Sequence, residues 1–325
     1  MQYFVTGGAG FIGSNYVRGL LAGNWGTDIA KVTVFDSFTY AGNRHNLDEC
    51  KDDPRLEIVE GDIRNPEDIL KSLPGHDVVV HFAAESHVDR SIESSSVFMS
   101  TNVLGTHQLL EAALKLNINR FVHVSTDEVY GSIDSGSWDE NEPLLPNSPY
   151  AASKASSDLV ARSYYRTHGL NLSITRCSNN FGIYQYPEKV IPLFITNLIT
   201  GKKVPLYGDG LNIRDWLHVD DHCRGIDLVV NKGRAGEIYN IGGGTEMNNR
   251  DLTFLLLGEF GFGEERVEWV EDRLGHDRRY SVNWNKIHDE LGYSPQQSLQ
   301  SSISEIVSWY KSNAQWWEPL RNKSK

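Results

Sequence analysis

The strand-like segment Gln2–Thr6 runs straight into Gly7-Gly8-Ala9-Gly10-Phe11-Ile12-Gly13, and an amphipathic stretch follows. Glycines placed this way allow a tight turn, close approach of the backbone to a diphosphate, and close packing of helix on strand. The helix N-terminus then offers N–H groups and a partial positive charge to that diphosphate. The run satisfies GxGxxG from Gly8 and GxxGxxG from Gly7. A strand before it and a helix after it give such a motif its meaning; the plain alternative is a structural glycine turn. Asp36 ends the next strand candidate, at the spacing of a carboxylate that accepts from a ribose 2′-hydroxyl and repels a 2′-phosphate. The expected cofactor is therefore NAD rather than NADP, with Arg44 nearby pointing the other way. Asp62 and Ile63, past the third strand, are candidates for the adenine edge, against the alternative of an aspartate that merely turns the chain.

The rest of the first half alternates short apolar runs with amphipathic stretches, which predicts an α/β fold. Strands are expected at Gln2–Thr6, Lys31–Asp36, Leu56–Glu60, Asp77–Phe82, Arg120–Ser125 and Asn171–Arg176. Helices are expected at Ser14–Ala22, Pro66–Leu73, Ser94–Leu116 and Pro149–Thr167. The apolar DVVVHF run suits a strand covered by helices on both faces. Asn147 or Ser148 can cap the last helix, Pro149 suits its first position, and Gly169 can close it. The expected architecture is a Rossmann-like doubly wound parallel sheet with a smaller, interleaved α/β substrate domain. Residues 1–179 would form the nucleotide-binding domain, with returning segments near 214–244 and 311–325. Residues 180–213 and 245–310 would form the smaller domain. Within the returning part, Asp215–Val230 and Glu237–Ile241 have the pattern of sheet and helix. The tail is polar apart from Trp316-Trp317 and is expected to be partly mobile.

Composition excludes several function classes. At 325 residues the chain can bury a sizeable core, and 39% hydrophobic with 23% charged residues is ordinary for a globular protein. A net charge of −12 without a Lys/Arg stripe argues against nucleic acid. An anionic small ligand would need local arginines. No apolar run approaches the ~20 residues of a membrane span. The N-terminus opens on a strand, so no signal peptide is expected. Cys50, Cys177 and Cys223 are odd in number and scattered, against a disulfide framework or zinc site. A cytoplasmic protein is expected. His218 and His222 have i,i+4 spacing but lack an HExxH glutamate and a third ligand, so they are expected to be a structural pair and no metal is predicted.

Chemistry is concentrated in two places. Asp127 and Glu128 follow the strand candidate FVHVST, and Tyr150 and Lys154 lie four apart on one helix face. A free phenol, pKa near ~10, is a poor base at neutral pH. An adjacent ammonium together with a positive nicotinamide favours phenolate. Lys154 can also hold the nicotinamide ribose, and Thr126 can bond the hydroxyl being oxidised. Of two adjacent carboxylates, one ionised group raises its partner's pKa, so an acid and a base can coexist. The residues alone do not say which holds the proton, and a solvated acidic loop is the plain alternative.

GGAGFIG, the YAASK helix and STDEVYG resemble the extended short-chain dehydrogenase/reductase superfamily. Within it, HFAAESHVDRSI, STDEVYG, CSNNFGIYQYPEKVIP, YGDGLNIRDWLHVDDH and DRLGHDRRY resemble the dTDP-glucose 4,6-dehydratase family, in order from about Met1 to Trp309. The Asp-Glu pair is the most specific element, since epimerases of this fold generally lack it. The resemblance implies that Tyr150 takes the C4 hydroxyl proton while hydride passes to NAD. It further implies that Glu128 removes the C5 proton, made acidic by the new C4 ketone, and that Asp127 protonates the departing C6 hydroxyl. The stored hydride then returns to C6, giving a 4-keto-6-deoxy sugar nucleotide. By the same resemblance Ser37, Thr39, Phe82, Ala83, Ala84, Ser86, Thr101 and Asn179 belong to the cofactor site. Ser86, Asn179, Lys189, Val190, Arg214, Asn249, Arg273, His276 and Tyr280 would meet the substrate dTDP-glucose, with Pro205 and Tyr207 walling the base. A homodimer through the 94–116 and 149–167 helices is implied as well. The alternatives are a dehydratase of another sugar nucleotide such as UDP-glucose, a nucleotide-sugar 4-epimerase, and a silent NAD-binding scaffold, which would have lost one of Thr126, Tyr150 or Lys154.

Overall fold

The computed structural model describes residues 1–272 and 275–323. Among them, seven strands form one parallel sheet: β1 (Gln2–Thr6), β2 (Lys31–Asp36), β3 (Leu56–Glu60), β4 (Val78–His81), β5 (Arg120–Thr126), β6 (Leu172–Cys177) and, after three intervening strands, β10 (Ile238–Ile241). Their order is β10-β6-β5-β4-β1-β2-β3. The direction of winding reverses between β1 and β4, which opens a crevice at the carboxyl ends of those strands. The glycine turn leaves β1 at that point.

Strand alternation distributes the core to both faces. Val5, Val34, Val80 and Val122 pack with Tyr16, Leu20, Ile226 and Val229 of helices Phe11–Ala22 and Val219–Lys232. Phe4, Phe35, Val79 and Phe121 point the other way, onto Ile69, Leu109, Leu110 and Tyr164. At ~25 cal/mol per Å² of apolar area, such double coverage is a main source of the sheet's stability. His81 is the polar exception in β4. Its Nδ1 meets Thr6 Oγ1 at 2.7 Å and its Nε2 meets Thr106 Oγ1 at 2.9 Å, and burial drives its pKa well down, so it stays neutral.

The remaining strands lie outside this sheet. β7 (Asn179–Phe181), β9 (Ile213–His218) and β11 (Glu246–Asn248) form one small sheet, and β8 (Val204–Tyr207) pairs with β12 (Val267–Val270). Of the segments expected to return to the main sheet, β10 does so beside β6. Strand β9 instead joins the small sheet, and only the helix after it covers the main one.

Three local expectations need correcting. The first helix begins at Phe11, not Ser14, because Gly10 itself serves as the extended N-cap residue. The helix expected over 94–116 is interrupted. A short α-turn, Ser96–Phe98, passes into a π-helical segment, Met99–Gly105, before α-helix Thr106–Lys115. The wider turn carries Asn102, whose amide bonds Glu85 N and O (2.8 and 3.0 Å) and Ser153 Oγ (2.8 Å). The tail is also more ordered than its composition suggests. Helix Ala314–Lys323 sends Trp317 and Leu320 into the apolar cluster that contains Phe194, Leu206, Leu256 and Tyr310, rather than onto the main sheet.

Candidate active site

Backbone geometry at the first turn explains its glycines. Gly7 has φ +67°, and a Cβ there would lie 2.6 Å from Ala83 N. A Cβ on Gly13 would lie 2.3 Å from Gly7 O. The observed pattern is thus Gly7, Gly10, Gly13, while Gly8 serves packing against Val34. Asp36 accepts from Ala9 N and Phe38 N, both at 2.9 Å, which ties the end of β2 to this turn. Burial pushes its carboxyl up, opposed by those two N–H groups. Arg44 pairs with Glu60 at 2.9 Å and stacks on Phe38, so its charge is engaged. Both carboxylate oxygens of Asp62 are taken by Arg64, the turn-forming role weighed against adenine binding.

A single cleft of ≈ 400 Å³ runs from this turn to the end of β5. Gly7, Gly10, Phe11, Ile12 and Gly13 line one end, with Asp36, Ser37, Thr39, Asp62 and Ile63 beside them. Phe82, Ala83, Ala84, Ser86 and Thr101 line its middle. Thr126, Asp127, Glu128, Tyr150, Lys154, Asn179 and Lys189 line the far end. Lys189 Nζ donates to Ser86 O at 3.0 Å, joining the two walls, and Asn179 Oδ1 is buried without a protein partner.

The far end is built from two elements. Helix Pro149–His168 starts at Ser148, whose Oγ accepts from Ala151 N at 3.1 Å, and closes at Gly169 with φ 68°. Asn147, the other cap candidate, instead donates to Asp277 Oδ1 at 2.6 Å. The helix carries Tyr150 and Lys154 on the face toward β5, where Lys154 Nζ donates to Val124 O at 2.8 Å. Beyond β5 a single 3₁₀ turn, Asp127–Tyr130, is capped by Thr126 Oγ1, which accepts from Glu128 N at 3.3 Å. Val129 and Tyr130 are fully buried and anchor that turn.

Electrostatics separates the groups. Burial, then the Glu128 and Asp215 charges, push the Asp127 carboxyl well up; Arg214 opposes them, and Asp127 Oδ2 has no hydrogen-bond partner. Burial and its charged neighbours thus favour the neutral form of the Asp127 carboxyl. Burial brings Lys154 down to about 8, opposed chiefly by Asp158. In the protein alone the Tyr150 phenol moves up, because burial and then the charges around it, Glu128 first, outweigh a hydrogen bond with Thr126; the downward shift expected from Lys154 with a positive nicotinamide belongs to the cofactor-bound site. The protein's own charges thus do not supply the phenolate.

The remaining candidates sit beside the cleft rather than in its lining. Arg214 stacks over Tyr280 at 4.4 Å and donates to Asp277 O at 3.0 Å, and the Tyr280 hydroxyl bonds Asp277. Glu128 is the largest charge acting on Tyr280, so this group faces the carboxylate pair. Val190 opens helix Val190–Ile199, and Asn249 N bonds Asn212 O at 3.0 Å. Pro205 and Tyr207 lie on β8; His276 meets Asp272 at 2.6 Å and the Tyr207 ring edge-on. Arg273 lies outside the described residues. His218 caps helix Val219–Lys232 and His222 bonds Asn180 at 2.9 Å, so the two have separate partners.

Sequence reasoning missed a buried network under the catalytic helix. Asp158 Oδ2 pairs with Arg176 Nε at 2.9 Å, Arg176 Nη1 donates to Tyr130 OH at 2.8 Å, and Tyr130 OH donates to Asn240 at 2.9 Å. It links the Tyr150–Lys154 helix to the Asp127–Glu128 turn. Asp158, one turn after Lys154, was the available signal. Asn102 and Trp316 were also missed, and nothing local marks them.

Comparison with known proteins agrees with this geometry. Residues 4–306 match the family model described as GDP-mannose 4,6 dehydratase. A dTDP-glucose 4,6-dehydratase of Streptomyces antibioticus is 58% identical over 99% of this chain and 96% of its own. The crystal structure of DesIV, a dTDP-glucose 4,6-dehydratase from Streptomyces venezuelae with NAD bound, is 60% identical, covers 98% of this chain and 100% of its own, and superposes with a TM-score of 0.97. A UDP-glucose 4-epimerase of Thermotoga maritima shares the fold at TM-score 0.88 but only 30% identity, over 97% of this chain and 100% of its own. The chain belongs to the dTDP-glucose 4,6-dehydratase family of the extended short-chain dehydrogenases/reductases.

Proposed function

We propose that the protein is an NAD-dependent dTDP-glucose 4,6-dehydratase, a hydro-lyase that removes water across C5–C6 of the hexose. The observation that carries this reading is a buried Asp127, its carboxyl pushed well up, beside Glu128 in the same cleft as Tyr150 and Lys154. The glycine cradle that no Cβ fits, with Asp36 at its edge, suits a dinucleotide diphosphate and a free ribose 2′-hydroxyl. NAD, held by the glycine turn, Asp36 and Lys154, would supply the hydride acceptor and donor for the hexose and a positive charge near Tyr150. Tyr150 takes the C4 hydroxyl proton, with Thr126 holding the hydroxyl and Lys154 supplying an ammonium. The resulting ketone acidifies C5–H, which Glu128 removes. Asp127 delivers its proton to the leaving C6 oxygen, so water departs without a free hydroxide. Arg214 is the candidate for the sugar-nucleotide diphosphate, its guanidinium held beside the cleft by Tyr280, Ile213 O and Asp277 O.

The relatives' names support a dTDP sugar, and the same chemistry on UDP-glucose is the nearest rival. Incubation with dTDP-glucose or UDP-glucose without added reductant separates them. Loss of one water from the dTDP sugar with a 4-keto product is expected. Conversion to the galactose isomer with no mass change would mean an epimerase and would refute the proposal.

A homodimer is part of the same reading. Leu104 (60% exposed), Leu159 (57%) and Met99 present large apolar side chains on the two helical segments expected to meet a second copy. We further propose that the 180–213 and 245–310 segments receive the sugar nucleotide while the main sheet holds the dinucleotide. A cytoplasmic setting fits the three free cysteines.

A further inference from the structure

The family match ends at residue 306, yet Trp316 and Leu320 of the C-terminal helix Ala314–Lys323 line the cleft. Trp316 Nε1 donates to Asn46 Oδ1 at 2.8 Å. Asn46 Nδ2 in turn donates to Ala9 O at 2.9 Å, inside the glycine turn, and Ala9 N donates to Asp36 at 2.9 Å. Asn46 is 2% exposed, so its amide has no water to replace a lost partner. Three consecutive hydrogen bonds therefore connect the last helix to the diphosphate turn and the ribose carboxylate. The helix is held from its other side as well: Trp317 is buried, and Arg321 donates to Thr196 O at 3.0 Å and to Asn197 Oδ1 at 2.7 Å.

We propose that the C-terminal helix is a retaining clasp for the adenosine half of the dinucleotide, acting through the Trp316–Asn46–Ala9 chain. Trp316 and Asn46 are positioning residues here: they set the turn that grips the diphosphate and close the cleft wall beside it. This rests on the dinucleotide reading of the cleft. An enzyme that returns its hydride within each cycle gains by keeping its cofactor, which gives the clasp a purpose.

The test is Trp316→Phe, which keeps a smaller aromatic ring against Tyr184, Trp309 and Tyr310 and removes the donor. Stopped-flow displacement of NAD by excess ADP-ribose would measure dissociation. Losing a buried hydrogen bond predicts dissociation faster by about tenfold, with dTDP affinity by calorimetry unchanged. Asn46→Ala should do the same, and the double variant should be no worse than Asn46→Ala alone. Unchanged NAD dissociation, equal weakening of dTDP, or strictly additive effects would each overturn the clasp. Wild-type protein that binds NAD but dehydrates no sugar would instead sink the functional reading and leave the clasp standing.

Discussion

Asp158→Asn is the most demanding test of the energetics beneath the site. The carboxylate is 1% exposed, pairs with Arg176 at 2.9 Å and lies 3.3 Å from His123 Nε2. Burial alone would raise its pKa, but Arg176 and His123 bring it down to about 2 from 3.8. That gap converts to about 2 kcal/mol of stability. Because the folded-state value is depressed, the contribution is fully present above pH 3.8 and is lost as pH falls through about 2. Asparagine keeps the shape but leaves Arg176 charged in the interior, and breaking a buried pair costs ~3–5 kcal/mol. Urea unfolding at neutral pH should therefore show a loss of ~2–5 kcal/mol. The variant should also lack the wild type's decline between those two pH values. Asp158 is also the main charge supporting the Lys154 ammonium, which burial brings down to about 8, so an alkaline limb of the pH–rate profile set by Lys154 should move to lower pH in the variant. A stability change under ~1 kcal/mol would refute the account, since it would mean the pair contributes no more than an exposed one.

Other outcomes follow from the same geometry. Asp127→Asn or Glu128→Gln should block water loss while NAD and sugar-nucleotide binding persist, and Tyr150→Phe should stop oxidation itself; full turnover in either carboxylate variant, followed by mass spectrometry, would end the mechanism. Gly7→Ala places a methyl 2.6 Å from Ala83 N at φ +67° and should abolish NAD binding in calorimetry. Leu104→Asp or Leu159→Asp should convert the proposed dimer to monomer in analytical ultracentrifugation, because burying a charge there without a partner is costly.

Much of this site could be read from local pattern. The glycine turn, Asp36, the YxxxK helix with its Ser148 cap and Gly169 stop, and the strand before Asp127 are short-range features. Each is governed by dihedral freedom, capping or side-chain periodicity within a few residues. The π-helical step at Asn102 was not legible, because its cause is a set of hydrogen bonds to Glu85 and Ser153, which come from other elements. The Arg176–Tyr130 contact likewise joins residues far apart in the chain.

What the chain determines by itself is therefore the chemistry available: a diphosphate turn, a ribose carboxylate, a phenol with its ammonium, and two adjacent carboxylates. Tertiary structure decided how that chemistry is distributed. It buried Asp127 beside the Glu128 and Asp215 charges, which pushes its carboxyl well up, and raised the Tyr150 phenol through burial and the Glu128 charge. It also folded an apparently polar tail onto the cleft, with Trp316 and Leu320 in its lining and Trp317 in the core behind. Charge state and docking depend on desolvation and on distant partners, and only the assembled fold specifies either.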